Sequence, residues 1–269
     1  MSGFSAEWLA VREPADAAAR SASLVSFIVR GPERAALRVL DLGGGTGANI
    51  RYLSPKLPGP QVWTIVDNDA ALLERAPSHA TRRHLDLKAA VEDAQLFDGS
   101  SLVTASALLD LVSEAWLQTL VERCRAAGAA VLFALTYDGR IVCSPGEPED
   151  DEIRRLVNAH QKRDKGFGPA LGPDATTSVV ALLSAAGYTT KQEQSDWNLA
   201  AGTFPLQREL VSGWADAASK VAPEKKAVID GWRVRRLAHI DARRSHIVVG
   251  HVDVAGVVAS RQSPVVSRA

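Results

Sequence analysis

Cysteine is nearly absent from this 269-residue chain: Cys124 and Cys143 are the only two. Two cysteines make no disulfide framework, and theirs is not a metal-ligand spacing. Net charge is absent as well, with 31 basic and 31 acidic side chains. That balance leaves no electrostatic case for nucleic acid or an anionic membrane as the main partner. No apolar run approaches the roughly 18–20 residues needed to span a bilayer. The opening MSGFSAEWLAVREP lacks the basic start and apolar stretch of a secretory leader. No internal repeat is visible. These absences favour an ordinary soluble enzyme of the cytoplasm, with no membrane association, as a monomer or homodimer. Hydrophobic residues make up 46% of the chain, enough at this length for one large α/β domain or two small ones.

What is present is concentrated in Val39-Leu40-Asp41-Leu42-Gly43-Gly44-Gly45-Thr46-Gly47. Apolar residues 37–40 read as a buried strand, and a helix is expected from about Ala48. Glycine between a strand and a helix lets the backbone approach a ligand with no Cβ in the way. A dinucleotide site prefers G-x-G-x-x-G, which seats a pyrophosphate on the helix N-terminus. Here the spacing is G-x-G-x-G, with Asp41 two residues before the first glycine. A carboxylate there repels a pyrophosphate and suits a cationic ligand with an amino group, which disfavours a nicotinamide oxidoreductase.

VLDLGGGTG resembles motif I of the class I S-adenosylmethionine-dependent methyltransferases, whose usual form is close to VLDLGCGTG. Gly44 stands where cysteine is common. The resemblance implies that Asp41 contacts the methionine end of S-adenosylmethionine, while Gly43, Gly45 and Gly47 let the loop pass beneath it. Asp67 ends the next strand, where a carboxylate can accept hydrogen bonds from two ribose hydroxyls. In such enzymes that acid takes the 2′- and 3′-hydroxyls, and the next residue, Asn68, flanks the adenine. Asp69 reads as a helix N-cap. Asp86 matches the acid that accepts from the adenine amine, with Leu87 offering a backbone N–H; a helix N-cap is the other reading of Asp86. Ala105 and Ser106 are expected to pass the methionine moiety. The Asn/Asp-Pro-Pro-Tyr/Phe motif of amino-methylating nucleic-acid enzymes is missing. The motifs cover residues 37–136, and the pattern alone extends the likeness over 174–253.

The remaining pattern predicts a doubly wound α/β fold with a seven-stranded, mostly parallel sheet. Strands are expected at 37–42, 62–66, 82–85, 101–105, 129–135, 189–195 and 245–254, with helical connections. Candidate acids Asp41, Asp67 and Asp86 all sit at carboxyl ends of strands, where such sheets bind ligands. Residues 1–36 read as an N-terminal helical segment or lid. Its helix has Pro14 in the first turn and an apolar line through Ala17, Ser21, Leu24 and Ile28, and it stops at Gly31-Pro32. Residues 37–258 form the main domain, with helical insertions at about 145–172 and 199–240 forming a lid over the carboxyl edge. Residues 259–269 read as a disordered tail.

Acceptor chemistry must come from the segments outside the motifs. Arg20 lies beside the apolar line of the first helix. It is either paired with a protein carboxylate or a clamp for a substrate or cofactor carboxylate. The inserted helix at about 149–163 carries acids at its start and bases at its end, as the helix dipole favours. Asp150 with Arg154 and Asp151 with Arg155 are spaced for i,i+4 pairs. Ile153, Leu156, Val157 and His160 share one face, so His160 is the candidate general base or substrate hydrogen bonder; a satisfied core histidine is the alternative. Lys162, Arg163 and Lys165 follow; they either hold an anionic substrate, with Arg163 the named candidate, or are surface charge favoured by the helix dipole. Tyr137 and Asp138 follow the fifth strand toward the cleft, and Tyr137 joins His160 as a catalytic candidate. Asp110 and Ser113 either touch substrate or cap the next helix. His246 and His251 read as structural, and Trp197, Trp214 and Trp232 as core packing. The resulting expectation is methyl transfer from S-adenosylmethionine to an oxygen or nitrogen of a small-molecule acceptor by in-line displacement. The alternatives are a protein or RNA methyltransferase, supported only by RVRRLAHIDARR, or a non-catalytic cofactor-binding subunit.

Overall fold

The computed structural model describes residues 5–29 and 36–258. The expected helix stop at Gly31-Pro32 and the tail at 259–269 lie outside the described residues. The first helix, α1 (Ala6–Ala19), starts earlier than the sequence suggests because the Ser5 side chain accepts from the Trp8 N–H. Pro14 therefore lies inside the helix rather than in its first turn. The single helix expected here is two. At Arg20 the chain becomes extended, and the Ser21 N–H donates to Asp253 Oδ2 at 3.0 Å instead of to a helix carbonyl. A second helix, α2 (Ala22–Ile28), then packs Leu24 and Val25 on the sheet.

The core alternates as the sequence pattern implies. It runs β1 (Leu37–Leu42), α3 (Ala48–Leu53), β2 (Gln61–Asp67), α4 (Ala70–Glu74), β3 (Thr81–His84), α5 (Leu87–Glu92), α6 (Ala94–Phe97), β4 (Leu102–Ser106) and α7 (Glu114–Ala127). It continues through β5 (Ala130–Ser144), α8 (Asp150–Gln161), α9 (Ala175–Ala185), β6 (Tyr188–Gln194), β7 (Trp197–Leu199), α10 (Phe204–Val221), α11 (Lys226–Asp241) and β8 (His246–Val258). The strand order is β3-β2-β1-β4-β5-β8-β6, with β7 paired to β8 beside this path. Strands β1 to β5 run parallel, and β8 is antiparallel to both β5 and β6. This is a mixed α/β sheet flanked by helices, with one short strand more than the seven expected.

Alternation of side chains along β1 divides the core. Leu40 and Leu42 join the face covered by α5, α7 and α9, and Val39 joins the face covered by α2, α3 and α4. Asp41 shares the face of Val39, so its carboxylate points toward α3 and the start of α2. The chain crosses from β3 on one side of β1 to β4 on the other, and this reversal opens a crevice at the carboxyl ends of β1 and β4.

The fifth strand is longer than expected. It passes the sheet edge and continues to Ser144, paired in an arm with β8 from Thr136–Val252 out to Ser144–His246. A third apolar cluster sits on this arm: Tyr137, Ile153, Val157, Trp197, Trp214 and Trp232 pack with α10 and α11. The expected pairs Asp150–Arg154 and Asp151–Arg155 are replaced. Asp151 pairs with Arg154 at i,i+3, while Asp150 reaches the buried Arg236 of α11. No helix among the described residues is long and apolar enough to cross a membrane.

Candidate functional site

A cavity of about 560 Å³ lies at the carboxyl ends of β1, β2 and β4, within the usual size of a small-molecule site. Its floor is the glycine loop. Gly43, Gly45 and Gly47 have φ of 66°, 52° and 80°, the left-handed region where a side chain is strained. Gly43, Gly44 and Gly45 line the cavity. Gly47 instead begins α3, and a Cβ there would lie 2.4 Å from Pro77 Cδ. Gly44 excludes a side chain for a different reason. A Cβ there would lie 2.4 Å from Ile65 Cγ1 and 2.7 Å from Asp41 Oδ2. The cysteine common at this position therefore does not fit beside Ile65 in this chain. Gly44→Ala is expected to cost about 1–3 kcal/mol through overpacking, read by thermal unfolding. Adding Ile65→Ala should cost less than the two single changes together. Strict additivity would show that Ile65 is not what excludes the side chain.

Asp41 is fully buried at the back of the cavity. Its Oδ1 accepts from Asn49 Nδ2 at 2.7 Å, and the same amide nitrogen lies 3.1 Å from Thr104 Oγ1. Its Oδ2 is buried with no hydrogen-bond partner. Burial, reinforced by the charge of Asp67 and opposed by Asn49 and Arg20, raises its pKa to about 7. A buried acceptor without a donor is costly, and a bound ammonium group removes that cost. Among the described residues Arg20 pairs with no carboxylate: its Nη1 donates to Asn49 Oδ1 at 2.6 Å, and its guanidinium lies 4.2 Å over the Tyr52 ring. Its Nε is buried without a partner. Arg20 lines an adjoining pocket of about 240 Å³ that shares Asp16, Ala48, Asn49 and Ser106 with the main cavity.

Asp67 ties two walls together. Its Oδ2 accepts from the Gly45 N–H at 2.8 Å and its Oδ1 from the Asp69 N–H at 3.0 Å. Burial raises its pKa above the ordinary carboxylate value. Asn68 lines the cavity beside it, and Asp69 caps α4 through the Ala71 and Leu72 N–H groups, as expected. Asp86 follows its capping reading: it is exposed, accepts from the Lys88 N–H at 2.8 Å, and is not a lining residue, whereas Leu87 is. Ala105 is buried within β4 behind the wall; Ser106, Ala107 and Leu108 form the wall itself. Ala107 adopts φ 52°, and its N–H bonds Ala134 O at 2.9 Å. A non-glycine residue in that region marks a constrained turn at the site.

Several acceptor candidates lie elsewhere. The Tyr137 phenol is buried in the lid cluster and donates to Asn158 Oδ1 at 2.7 Å, and burial raises its pKa further. His160 is half-buried behind the wall, and its Nδ1 lies 3.2 Å from Lys165 Nζ. Burial, then the charges of Lys165, Lys220 and Arg163, lower its pKa to about 4, so it is neutral and accepts from the lysine. Arg163 is exposed and outside the lining. Asp110 is buried just behind the wall in the turn Leu109–Leu111, and burial lifts its pKa to about 6. Ser113 caps α7. His251 is buried against Trp197, with ring centroids 4.9 Å apart, and burial lowers its pKa to about 3.

The structure adds residues the sequence did not single out. From α1, Leu9, Arg12 and Asp16 line the cavity. Arg12 Nε donates to Asp16 Oδ2 at 2.9 Å, and Asp16 Oδ1 accepts from Trp197 Nε1 at 3.0 Å, which fastens α1 to β7. Glu13 binds Arg51 of α3 at 2.6 Å. From the loop after α8 come Lys165 and Phe167. The second insertion, expected as a substrate wall, supplies no lining residue and supports α8 from behind. Asn49 had a weak signal, as a polar residue in the first turn after the glycine loop; Lys165 stood out only as one of three cations after the inserted helix, and Leu9, Arg12, Asp16 and Phe167 had none.

Residues 39–128 match the family model described as a methyltransferase domain. No curated protein matches the sequence. Among solved structures, the chain is similar to a cyclopropane-fatty-acyl-phospholipid synthase-like protein of Lactobacillus casei, with 11% identity and a TM-score of 0.54 over 94% of this chain and 94% of that one. It is also similar to the YcgJ protein of Bacillus subtilis, with 16% identity and a TM-score of 0.49 over 88% of this chain and 98% of that one. A third likeness is to phosphoethanolamine N-methyltransferase 2 of Haemonchus contortus, at 14% identity and a TM-score of 0.43, over 88% of this chain and 51% of that one.

Proposed function

We propose that the chain is a class I, S-adenosylmethionine-dependent methyltransferase, a reading supported by the match of residues 39–128 to a methyltransferase-domain model, and that it methylates an oxygen or nitrogen of a small-molecule acceptor by in-line displacement. The observation that carries the reading is the buried Asp41 with its unpartnered Oδ2 behind a glycine loop, Gly43 to Gly45, that lines the cavity. These residues fit a donor that presents an ammonium group and needs a close backbone. Asp67 is placed to accept from the ribose hydroxyls, since each oxygen holds one N–H and has a lone pair left. Asn68 and Leu87 would flank the adenine, Ser106 and Ala107 would border the methionine moiety, and Arg20 in the adjoining pocket would offer its unpartnered Nε to the carboxylate.

S-adenosylmethionine supplies a methyl group already activated on a sulfonium. The protein's part is alignment, and holding donor and acceptor in register can supply roughly 7–11 kcal/mol. An RNA acceptor loses much of its sequence support, because three of the five arginines in the basic stretch are paired with acids of the fold. Arg233 pairs with Asp230, Arg235 with Glu147 and Glu149, and Arg236 with Asp150.

Asp67→Ala is expected to weaken S-adenosylhomocysteine binding by about 100-fold or more. Two hydrogen bonds to a charged acceptor are worth about 1.5–3 kcal/mol each, and tenfold in affinity is about 1.4 kcal/mol. Calorimetric titration measures it. Unchanged affinity in both Asp67→Ala and Asp41→Ala would remove the basis of the assignment.

A further inference from the structure

Three cations follow α8, and the fold gives them different fates. Lys162 Nζ is bound to Asp174 at 2.6 Å. Arg163 points into solvent. Between Arg163 and Lys165 the chain turns on Asp164, whose Oδ1 accepts from the Gly166 and Gly168 N–H groups at 2.6 and 3.0 Å. Both glycines have positive φ, 100° and 88°. This turn carries Lys165 and Phe167 back into the cavity wall.

Lys165 is half-buried there without a counter-charge. Its close partners are His160 Nδ1 at 3.2 Å and the His160 carbonyl at 3.1 Å, both uncharged. Among the described residues no carboxylate lies within ion-pair distance of it. Lys220 and Arg163 repel it, and Asp110 attracts it without pairing with it. The other cation in the wall, Arg12, is already satisfied by Asp16. An ammonium held in a partly desolvated wall by neutral acceptors is electrostatically incomplete.

The cavity is also polarised. Asp41 and Asp67 come from the ends of β1 and β2, whereas Leu111 comes from the turn after β4 and Lys165 and Phe167 from the loop after α8. The donor proposed above is cationic at its sulfonium and its amine, which suits the acidic residues, and its single carboxylate is assigned to the unpartnered Nε of Arg20 in the adjoining pocket. We propose that the acceptor carries an anionic group, a carboxylate or phosphate, that docks on Lys165, with His160 holding the lysine in place as a positioning residue. Such a group neutralises the wall and is drawn toward the donor's positive charge. The apolar neighbours Phe167 and Leu111 suit a carbon skeleton beside that group. This inference rests on the methyltransferase reading.

The test uses the full chain saturated with S-adenosylhomocysteine and two isosteric probes, benzoate and benzamide, titrated by calorimetry. Failure of the wild type to bind S-adenosylhomocysteine, seen before any probe is added, would sink the methyltransferase reading itself. With that binding in hand, benzoate is expected to bind at least tenfold more tightly than benzamide, and inorganic phosphate should compete with it. In Lys165→Met the preference should vanish while S-adenosylhomocysteine affinity changes less than twofold. Phenyl phosphate in place of benzoate says which oxyanion fits better, and tighter binding of either supports the anionic site. Equal or absent binding of benzoate and benzamide to the wild type overturns the proposal, as does a preference that survives in Lys165→Met. A tenfold loss of S-adenosylhomocysteine affinity in Lys165→Met also overturns it, because the lysine then serves the cofactor's carboxylate.

Discussion

Asp41→Asn is expected to stabilise the cofactor-free protein at pH 8 while lowering its affinity for S-adenosylmethionine about 100-fold or more. Both effects come from one carboxylate. Asp41 is fully buried, one oxygen has no donor, and burial lifts its pKa from the ordinary 3.8 to about 7. Between those two values the folded protein holds a proton that the unfolded chain has released. Folding stability therefore falls as pH rises from about 4 to about 7 and does not recover above it. At pH 8 the wild type carries the full cost of a buried charge, on the order of 4 kcal/mol for a rise from 3.8 to about 7. An asparagine carries none, and its carbonyl can still accept from Asn49. The variant should melt roughly 5 °C or more above the wild type at pH 8, with little difference near pH 4. Equal melting temperatures at pH 8 would mean that the carboxylate is not strained in the empty protein.

Cofactor binding runs the other way. A buried ammonium left without its counter-charge costs about 3–5 kcal/mol, or a factor of roughly 10² to 10³ in affinity. Because the empty site is protonated below about 7, wild-type affinity should rise up to tenfold per pH unit between pH 5 and 7. It should level off there and fall above about 8, where the cofactor's own amino group loses its proton. Below pH 7 binding should release a proton, seen as a buffer-dependent calorimetric enthalpy. A flat affinity profile from pH 5 to 7 would separate Asp41 from the ammonium site.

Arg236→Ala is expected to destabilise the protein by about 3–5 kcal/mol, the usual loss when one member of a buried ion pair is removed. The Arg236 side chain has no exposed surface. Its Nε donates to Asp150 Oδ1 at 3.1 Å, its Nη1 to Pro145 O at 2.5 Å, and its Nη2 to Asp150 Oδ2. Asp150 also accepts from Trp232 Nε1 at 2.8 Å and from the Glu147 N–H at 2.8 Å. This network fastens the turn between β5 and α8 to α11. Thermal unfolding should show a loss of roughly 6–15 °C. The double variant Arg236→Met with Asp150→Asn should recover part of it, since no buried charge is then left alone. A shift under 2 °C in Arg236→Ala would show that the pair contributes nothing. Cofactor affinity should change little, because neither residue lines the cavity.

The readable parts of the site are short-range. Gly43, Gly45 and Asp67 announce themselves because the turn after β1 and the end of β2 make backbone demands that few residues meet. Asn49 was hidden because its partners, Arg20 and Thr104, lie 29 and 55 residues away. His160 was misplaced because helix periodicity shows which face turns inward, and the inward face of α8 meets the lid cluster instead of the cavity. The second half of β5 carries no strand signal because it is half-buried and mixed in composition. Its pairing with β8 keeps it extended.

The sequence by itself determined the donor half of this protein: a strand, a glycine loop, a helix, and acids at the ends of consecutive strands. Those features are local, since they follow from backbone conformation and side-chain type over a few residues. Only the tertiary structure decided the charge state of Asp41, because burial by distant elements sets the cost of ionising it. Only the tertiary structure decided which cations matter. Arg163 and Lys165 differ by two positions and carry the same charge, yet one meets water and the other the cavity. Electrostatic neutralisation depends on what the folded chain brings within a few ångströms, and spacing along the sequence carries no record of that.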